Sequence, residues 1–305
     1  MPPVSLPDEV RAACAWVAGR ARFVQIDEGR IGDYARGLPD PGAEAAEPPV
    51  GAGDPEAIAA YAICMNAINF GSGWWPTIRK RDGLSGYGTM AAGLRERFEM
   101  EGPWRPQDLA ALDAAAVAAV LGQDPDHRLM GQFAAALRDV GAHLLAEYEG
   151  RYIDVVAAAA SIPGLAAIFA GWGSFADISD YEGRAVPFYK RAQIAAADLH
   201  RAGVADLPGI EALTAFADNL VPHVLRVDGV LRLDPALAAV IEAGELLEHG
   251  SPQEVELRAC AVHAVELLAT ESGLSPAEID SALWNRGRNR RYKSLPRPRS
   301  RSTAY

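Results

Sequence analysis

Apolar residues return at three- and four-residue spacing along most of the chain, the period of helices that bury at least one face. Alanine and leucine fill that pattern, and polar, proline or glycine residues bound it, which predicts helices over 8–21, 54–70, 87–99, 106–121, 128–148 and 151–160. Strand-like segments are few: only 22–27 and 230–234 read as short strands. Residues 38–54, rich in proline, glycine and alanine, read as a loop, and no segment repeats another. The expected fold is mainly α: a single helical domain over 1–305 with a few short peripheral strands and the functional site between helices.

Composition narrows the setting. Half of the 305 residues are apolar, ample for a buried core. The longest apolar stretch, 155–170, is broken by Ser161, Pro163 and Gly164, and the opening MPPVSLPDEV lacks the basic and apolar regions of a signal peptide. The expectation is a cytoplasmic protein with no membrane partner. Cys14, Cys64 and Cys260 stand singly, which fits reduced buried thiols and provides neither a disulfide framework nor zinc spacing. His263, three residues after Cys260, has no further ligands beside it and reads as a packed histidine, so no metal or cofactor is expected.

The net charge of −11 conceals an asymmetry. Residues 286–301 carry eight basic side chains and no acidic one, while residues 1–285 carry 21 basic against 40 acidic. An acidic body repels a polyanion at long range, yet a few converging basic groups still capture a small anion. The expected ligand is therefore a small molecule, and no stable nucleic-acid complex is expected.

Three ionisable residues stand in apolar surroundings, where a charge must be paired, hydrogen-bonded or used: Lys190, Asp198 and Asp218. Lys190 is one of only three lysines against 26 arginines, which hints at a task for a compact ammonium that a guanidinium does not perform. A helix from Pro187 to about His200 carries Lys190 and Asp198; a short helix over 211–216 then leads to Asp218. Of Lys190 and Arg191, the helical period does not say which faces inward.

These segments, Phe188-Tyr-Lys-Arg-Ala-Gln193 with an aspartate eight residues past the lysine, and Phe216-Ala-Asp218 followed by Pro222, resemble the queuosine salvage proteins, a family of queuosine 5′-phosphate N-glycosylases. The resemblance extends in order to Ala67-Ile-Asn-Phe70 with Trp74 and Trp75, Ser85-Gly-Tyr87, Gln253-Glu-Val-Glu-Leu-Arg258, Leu283-Trp284 and the ending Arg299-Ser-Arg301-Ser-Thr-Ala-Tyr305. It covers most of the chain from about residue 60. In outline, a lysine on one helix and an aspartate after the next also resembles the helix-hairpin-helix base-excision glycosylases, which implies a DNA-glycosylase-like helical core. The glycine-rich hairpin that precedes the lysine in those enzymes is absent here, which speaks against duplex-DNA binding.

The resemblance implies hydrolysis of queuosine 5′-phosphate to queuine and ribose 5-phosphate, with Asp218 and Lys190 catalytic. Cleaving an N-glycosidic bond develops positive charge on the sugar, and a fixed carboxylate beneath the ring answers it. A 7-deazaguanine base offers no ring nitrogen at the position where ordinary purines are protonated, which places more of the work on that carboxylate. From spacing alone Asp218 equally reads as the cap of the helix through Val221 to Arg226. Lys190 reads as a phosphate ligand, as a group positioning Asp218, or as half of an internal ion pair.

For the substrate the resemblance implies Asp198, Asn69, Phe70, Tyr87, Trp284 and Glu256, with Arg299 and Arg301 near the phosphate on a basic tail, 286–305, folded back toward the site. Aromatic faces and amides suit a flat base; equally, Asn69 can end a helix and the tryptophans can be core. Ser251-Pro-Gln-Glu254 reads as a capping box, which makes its stretch mainly structural, with Glu256 its one candidate contact. Two other readings stand beside this one: cleavage of another modified nucleoside, and a non-enzymatic helical module that binds RNA through the arginine tail.

Overall fold

Short polar side chains set the helix starts. Ser5, Asp54, Ser85, Asp113, Ser161, Asp234, Ser251 and Ser275 each accept a hydrogen bond from a backbone N–H two or three residues on, satisfying donors that the first helical turn leaves without partners. The resulting structure, a computed structural model, describes residues 4–39, 50–51 and 53–305 and is mainly α, with fifteen α-helices and four short strands among those residues. The loop expected over 38–54 lies mostly outside the described residues.

Most expected helices are present with small boundary shifts: Leu6–Ala18, Pro55–Ala67, Gly86–Glu101, Arg128–Glu147 and Tyr152–Ala157. The segment 106–121 is two helices, Pro106–Ala110 and Ala114–Leu121, because Asp113 Oδ1 accepts the Ala116 N–H at 2.8 Å and starts a new helix. Both expected strands form, as Val24–Ile26 and Leu231–Leu233, and they pair antiparallel with each other. The other two-stranded sheet, a hairpin of Ile178–Tyr181 with Arg184–Pro187, has no counterpart in the sequence reading. Its two-residue turn holds both Glu182 (φ 51°) and Gly183 (φ 77°) at positive φ. Glutamate is an unusual residue for such a turn, so the usual Asn-Gly or Asp-Gly signal is missing. Pro187 ends that strand, and the following helix starts at Lys190 rather than Pro187.

The described residues fall into two compact units, each drawn from separate stretches of chain. The first takes Met1–Ala46, Asp177–Lys190 and Gly209–Arg301. Its centre is the helix Pro252–Ser272, buried on nearly every side and packed against Leu6–Ala18, Glu28–Arg36, Leu220–Val227, Pro276–Gly287 and a strand of each two-stranded sheet. Residues 286–301 are tied into this unit: Asn219 Nδ2 donates to Pro298 O (2.8 Å), Arg299 donates to Gly244 O (2.6 Å), and the Leu247 N–H donates to Arg299 O (2.8 Å).

The second unit takes Glu47–Ala176, Arg191–Pro208 and Ser302–Tyr305. The helix Arg128–Glu147 crosses Pro106–Ala110 at Gly141, where a Cβ would meet Ala110 N at 2.7 Å and Pro106 O at 2.8 Å, so only glycine permits that approach. Cys14, Cys64 and Cys260 are buried free thiols, and burial pushes Cys64 and Cys260 up to about 12. No helix among the described residues is long and apolar enough to cross a membrane.

Within the first unit, Glu256 of the central helix anchors the N-terminal strand. Its Oε2 accepts the N–H groups of Arg22, Phe23 and Val24 at 2.9, 2.6 and 3.1 Å, and its Oε1 accepts the Tyr181 hydroxyl at 2.7 Å. Glu256→Gln replaces one accepting oxygen by an NH2 group and leaves buried donors unmatched, at about 1–3 kcal/mol each. We expect urea unfolding to show a loss of about 2–4 kcal/mol; a variant within about 0.5 kcal/mol of wild type would exclude this anchoring role.

Candidate active site

In the first unit the chain after Gly209 makes a one-turn 3-10 helix, Ile210–Ala212, in place of the expected helix over 211–216, and then runs irregularly to Asp218. That path is fixed from both sides: the Phe216 N–H donates to Asp280 Oδ1 at 2.9 Å, and Arg258 Nε donates to Ala217 O at 3.0 Å. Asp218 then opens the helix Leu220–Val227, its Oδ1 accepting the N–H groups of Leu220 (2.8 Å) and Val221 (3.0 Å). The capping reading of Asp218 is thus present in the structure. Both bonds land on Oδ1, so neither occupies Oδ2.

Burial raises the Asp218 carboxyl above the ordinary aspartate range, opposed first by the charge of Lys190, then by the Val221 and Leu220 N–H groups, then by Arg297. Lys190, the first residue of the helix Lys190–Arg201, is 5 % exposed, whereas Lys80 and Lys293 lie on the surface. Its own backbone N–H donates to Asp177 Oδ2 at 3.1 Å. Tyr189, just before it, has φ 49°, a left-handed conformation that costs a non-glycine residue on the order of 1–2 kcal/mol.

Arg297 is the tail residue whose charge is felt at Asp218, and the sequence reading passed over it in favour of Arg299 and Arg301. Arg299 is bonded to Gly244 O, and Arg301 is exposed. Trp284, on the helix Pro276–Gly287, is half-buried, with the Arg288 guanidinium 5.4 Å from its ring centre. Glu256 is 0 % exposed, and its four hydrogen bonds match a carboxylate's accepting capacity. Glu254, expected to bond back to its own cap residue, accepts instead from the Gly250 N–H at 3.0 Å. Asp177 and Arg258 belong to this cluster although neither was singled out as a site residue from sequence. A lone aspartate between a phenylalanine-rich segment and a strand carries no motif.

In the second unit, Asn69 Nδ2 donates to Asn66 Oδ1 (3.2 Å), and Asn66 Nδ2 donates to Asp198 Oδ2 (2.9 Å). Asn69 and Asp198, separately predicted, therefore form one polar chain through Asn66, which was not predicted. Arg201 lies 3.5 Å from Asp198 Oδ1. Tyr87, second in the helix Gly86–Glu101, is half-buried. Phe70 is 2 % exposed, its ring 4.9 Å from Phe133 and 4.8 Å from the Arg191 guanidinium, so packing accounts for it. Arg191 is itself buried, donating to Ala67 O (2.6 Å) and Ser174 O. Trp74 is core, and Trp75 is half-buried beside Gly86.

A carboxylate fixed through one oxygen, enclosed enough to raise its proton affinity and with an ammonium favouring its ionised form, suits the stabilisation of positive charge developing on a substrate. The same enclosure costs stability. Because the folded-state affinity for the proton is raised, the contribution of Asp218 to stability is fully present below its unfolded pKa and is lost as pH rises through the folded value. Asp218→Asn keeps an oxygen for the two N–H groups and removes the charge. Differential scanning calorimetry is expected to show a higher melting temperature than wild type at pH 7, on the order of a few degrees, with the gain vanishing toward pH 3; a lower melting temperature at pH 7 would contradict the burial argument.

A family model described as queuosine salvage protein matches residues 50–305. Relatives with the name queuosine 5′-phosphate N-glycosylase/hydrolase include one from Sphaerobacter thermophilus, 33 % identical over 265 residues and 82 % of each chain. Another, from Dictyostelium discoideum, is 29 % identical over 263 residues, covering 82 % of this chain and 79 % of its own. A third, from Mus musculus, is 32 % identical over 197 residues, 58 % of each chain.

Proposed function

The chain belongs to the queuosine salvage protein family, and on that premise we propose that it hydrolyses the N-glycosidic bond of queuosine 5′-phosphate, releasing queuine and ribose 5-phosphate. The observation that carries the assignment of roles is Asp218: one oxygen is immobilised by two helix N–H groups, and its charge is opposed by burial and supported by Lys190.

As the bond from the ribose anomeric carbon to the base breaks, its electron pair leaves with the base nitrogen and positive charge grows on the sugar. The ionised Asp218 stabilises that charge and orients the attacking water. Water delivers its hydroxyl to the anomeric carbon and its proton to the base. Lys190 serves by keeping Asp218 ionised, the one of its three sequence readings that the electrostatics favour. The 5′-phosphate lies a sugar's width from the carbon attacked, so Arg297, whose charge reaches Asp218, is assigned to it, with Arg301 as an exposed auxiliary. Within the first unit the half-buried Trp284 offers aromatic surface for the base.

The test is release of free queuine from queuosine 5′-phosphate and from dephosphorylated queuosine. Wild type is expected to favour the phosphorylated form, and Asp218→Asn to lose turnover on the order of 10³-fold while still binding it. Release from neither substrate by wild type would sink the assignment of substrate; full turnover by Asp218→Asn would sink that of the carboxylate.

Lys190→Met supplies a second check with a defined sign. Activity requires ionised Asp218, so kcat falls as pH drops through its pKa. Removing the opposing ammonium raises that pKa, and the acid limb of the kcat profile is expected to move to higher pH. An unmoved limb would show that Lys190 does not support the Asp218 charge.

A further inference from the structure

Lys190 and Asp218 reach their places by separate stretches of chain, and the supports of both meet at one buried ion pair. Arg258, on the central helix of the first unit, directs an Nη2–H to Asp177 Oδ2 at 2.7 Å, with both side chains 2 % exposed. Its Nε–H goes to Ala217 O at 3.0 Å, the carbonyl of the residue before Asp218. The oxygen of Asp177 that takes the guanidinium also takes the Lys190 N–H at 3.1 Å. The Asp177 carbonyl accepts the N–H groups of Phe188 (2.9 Å) and Tyr189 (3.3 Å), the two residues leading into Lys190. The Phe188 ring centre lies 3.9 Å from the same guanidinium.

One planar fork therefore ties the backbone at Ala217 to the backbone at Lys190 through a single carboxylate oxygen. Removing two charges from water is costly, and an apolar pair of similar volume is often as stable or more so. An apolar pair cannot hold a carbonyl and an amide at set positions, and a lysine in place of Arg258 has no second rigid arm. From this geometry we infer that Asp177 and Arg258 are positioning residues for the reaction, holding the ammonium of Lys190 and the carboxylate of Asp218 in register. The inference rests on the roles given to those two residues above. It also accounts for the left-handed Tyr189: a strained residue persists where its surroundings over-determine it, and here Asp177 fixes the chain on both sides of the strain.

Misplacing a reacting group by about 1 Å costs on the order of 10²-fold in rate. Arg258→Lys, which keeps the charge and loses the fork, is expected to lower kcat by about that factor with KM within about threefold of wild type. Asp177→Asn, which keeps an acceptor oxygen and loses the ion pair, is expected to do the same. A purely stabilising ion pair would be rescued by the lysine. Activity is therefore compared with the folded fraction of each variant, measured by circular dichroism at the assay temperature.

A readout without substrate accompanies the kinetics. The difference in melting temperature with and without Asp218→Asn, followed against pH, reports the Asp218 pKa. The groups facing that carboxylate are Lys190 and Arg297, with the Leu220 and Val221 N–H groups; Arg258 and Asp280 hold the backbone just before it. In the Arg258→Lys and Asp177→Asn backgrounds its midpoint is expected to move to higher pH as Lys190 loses register. The inference is overturned if Arg258→Lys retains kcat within about threefold, if lost activity matches lost folded protein, or if the midpoint stays where it is in wild type. If wild type itself releases no queuine, the proposed function fails, and the pH midpoint still decides whether the pair sets the register.

Discussion

The first unit is organised around charges that the helix Pro252–Ser272 carries into its interior. Glu254, Glu256 and Arg258 all lie within its first turns and are at most 1 % exposed. Each meets backbone groups that no helix or sheet satisfies: Glu254 the Gly250 N–H, Glu256 three consecutive N–H groups of the N-terminal strand region, Arg258 the Ala217 carbonyl. A carboxylate accepts more bonds than an amide and a guanidinium donates in a rigid fork, so charged residues do here what neutral ones could not. Without them the segment entering Val24 and the segment leaving Ala217 would carry buried polar groups lacking partners. The irregular stretches that position the site are thereby held as firmly as regular structure.

Capping and catalysis, which compete as readings of Asp218 in the sequence, are compatible in three dimensions because a carboxylate has two oxygens. The helix N–H groups engage Oδ1 and fix the plane of the group. They also favour its ionised form, as does Lys190, against the larger effect of burial. The outcome is a carboxylate that is oriented and poorly solvated, and in its ionised form it interacts strongly with a cation forming beside it. A solvent-exposed cap would be oriented and weak; an enclosed aspartate without the cap and the lysine would be protonated over more of the pH range.

Fold class was readable because alanine-rich helical periodicity dominates the chain, and Ser or Asp caps mark the helix starts locally. The break at Asp113 and the hairpin through Glu182 were not, since each depends on a single residue whose conformational role is not typical of its neighbours. At the site, Asp218 and Lys190 stood out as charges amid apolar residues. Asp177, Arg258, Asn66 and Arg297 did not, because their roles lie in contacts or charge effects between separate stretches of chain: Arg258 bonds to Ala217 and Asp177, Asn66 to Asp198, and the charge of Arg297 reaches Asp218. Glu256 shows the converse. Its place in a motif pointed to a ligand, and its oxygens turned out to serve the N-terminal strand.

The adjacent Lys190 and Arg191 show why a chain that otherwise uses arginine keeps a lysine here. Both are buried, which the helical period alone left undecided. Arg191 uses its fork on two carbonyls, Ala67 O and Ser174 O, and its flat face lies over the rings of Phe70 and Phe175. That set of contacts demands a planar group with several fixed donors. Lys190 instead acts on Asp218 through charge. A guanidinium at 190 would tend to engage both oxygens of the carboxylate in a bidentate pair, tying up Oδ2, the oxygen the helix cap leaves available. A compact ammonium supplies the positive charge without that geometry, favouring the ionised form of Asp218 while the cap engages only Oδ1.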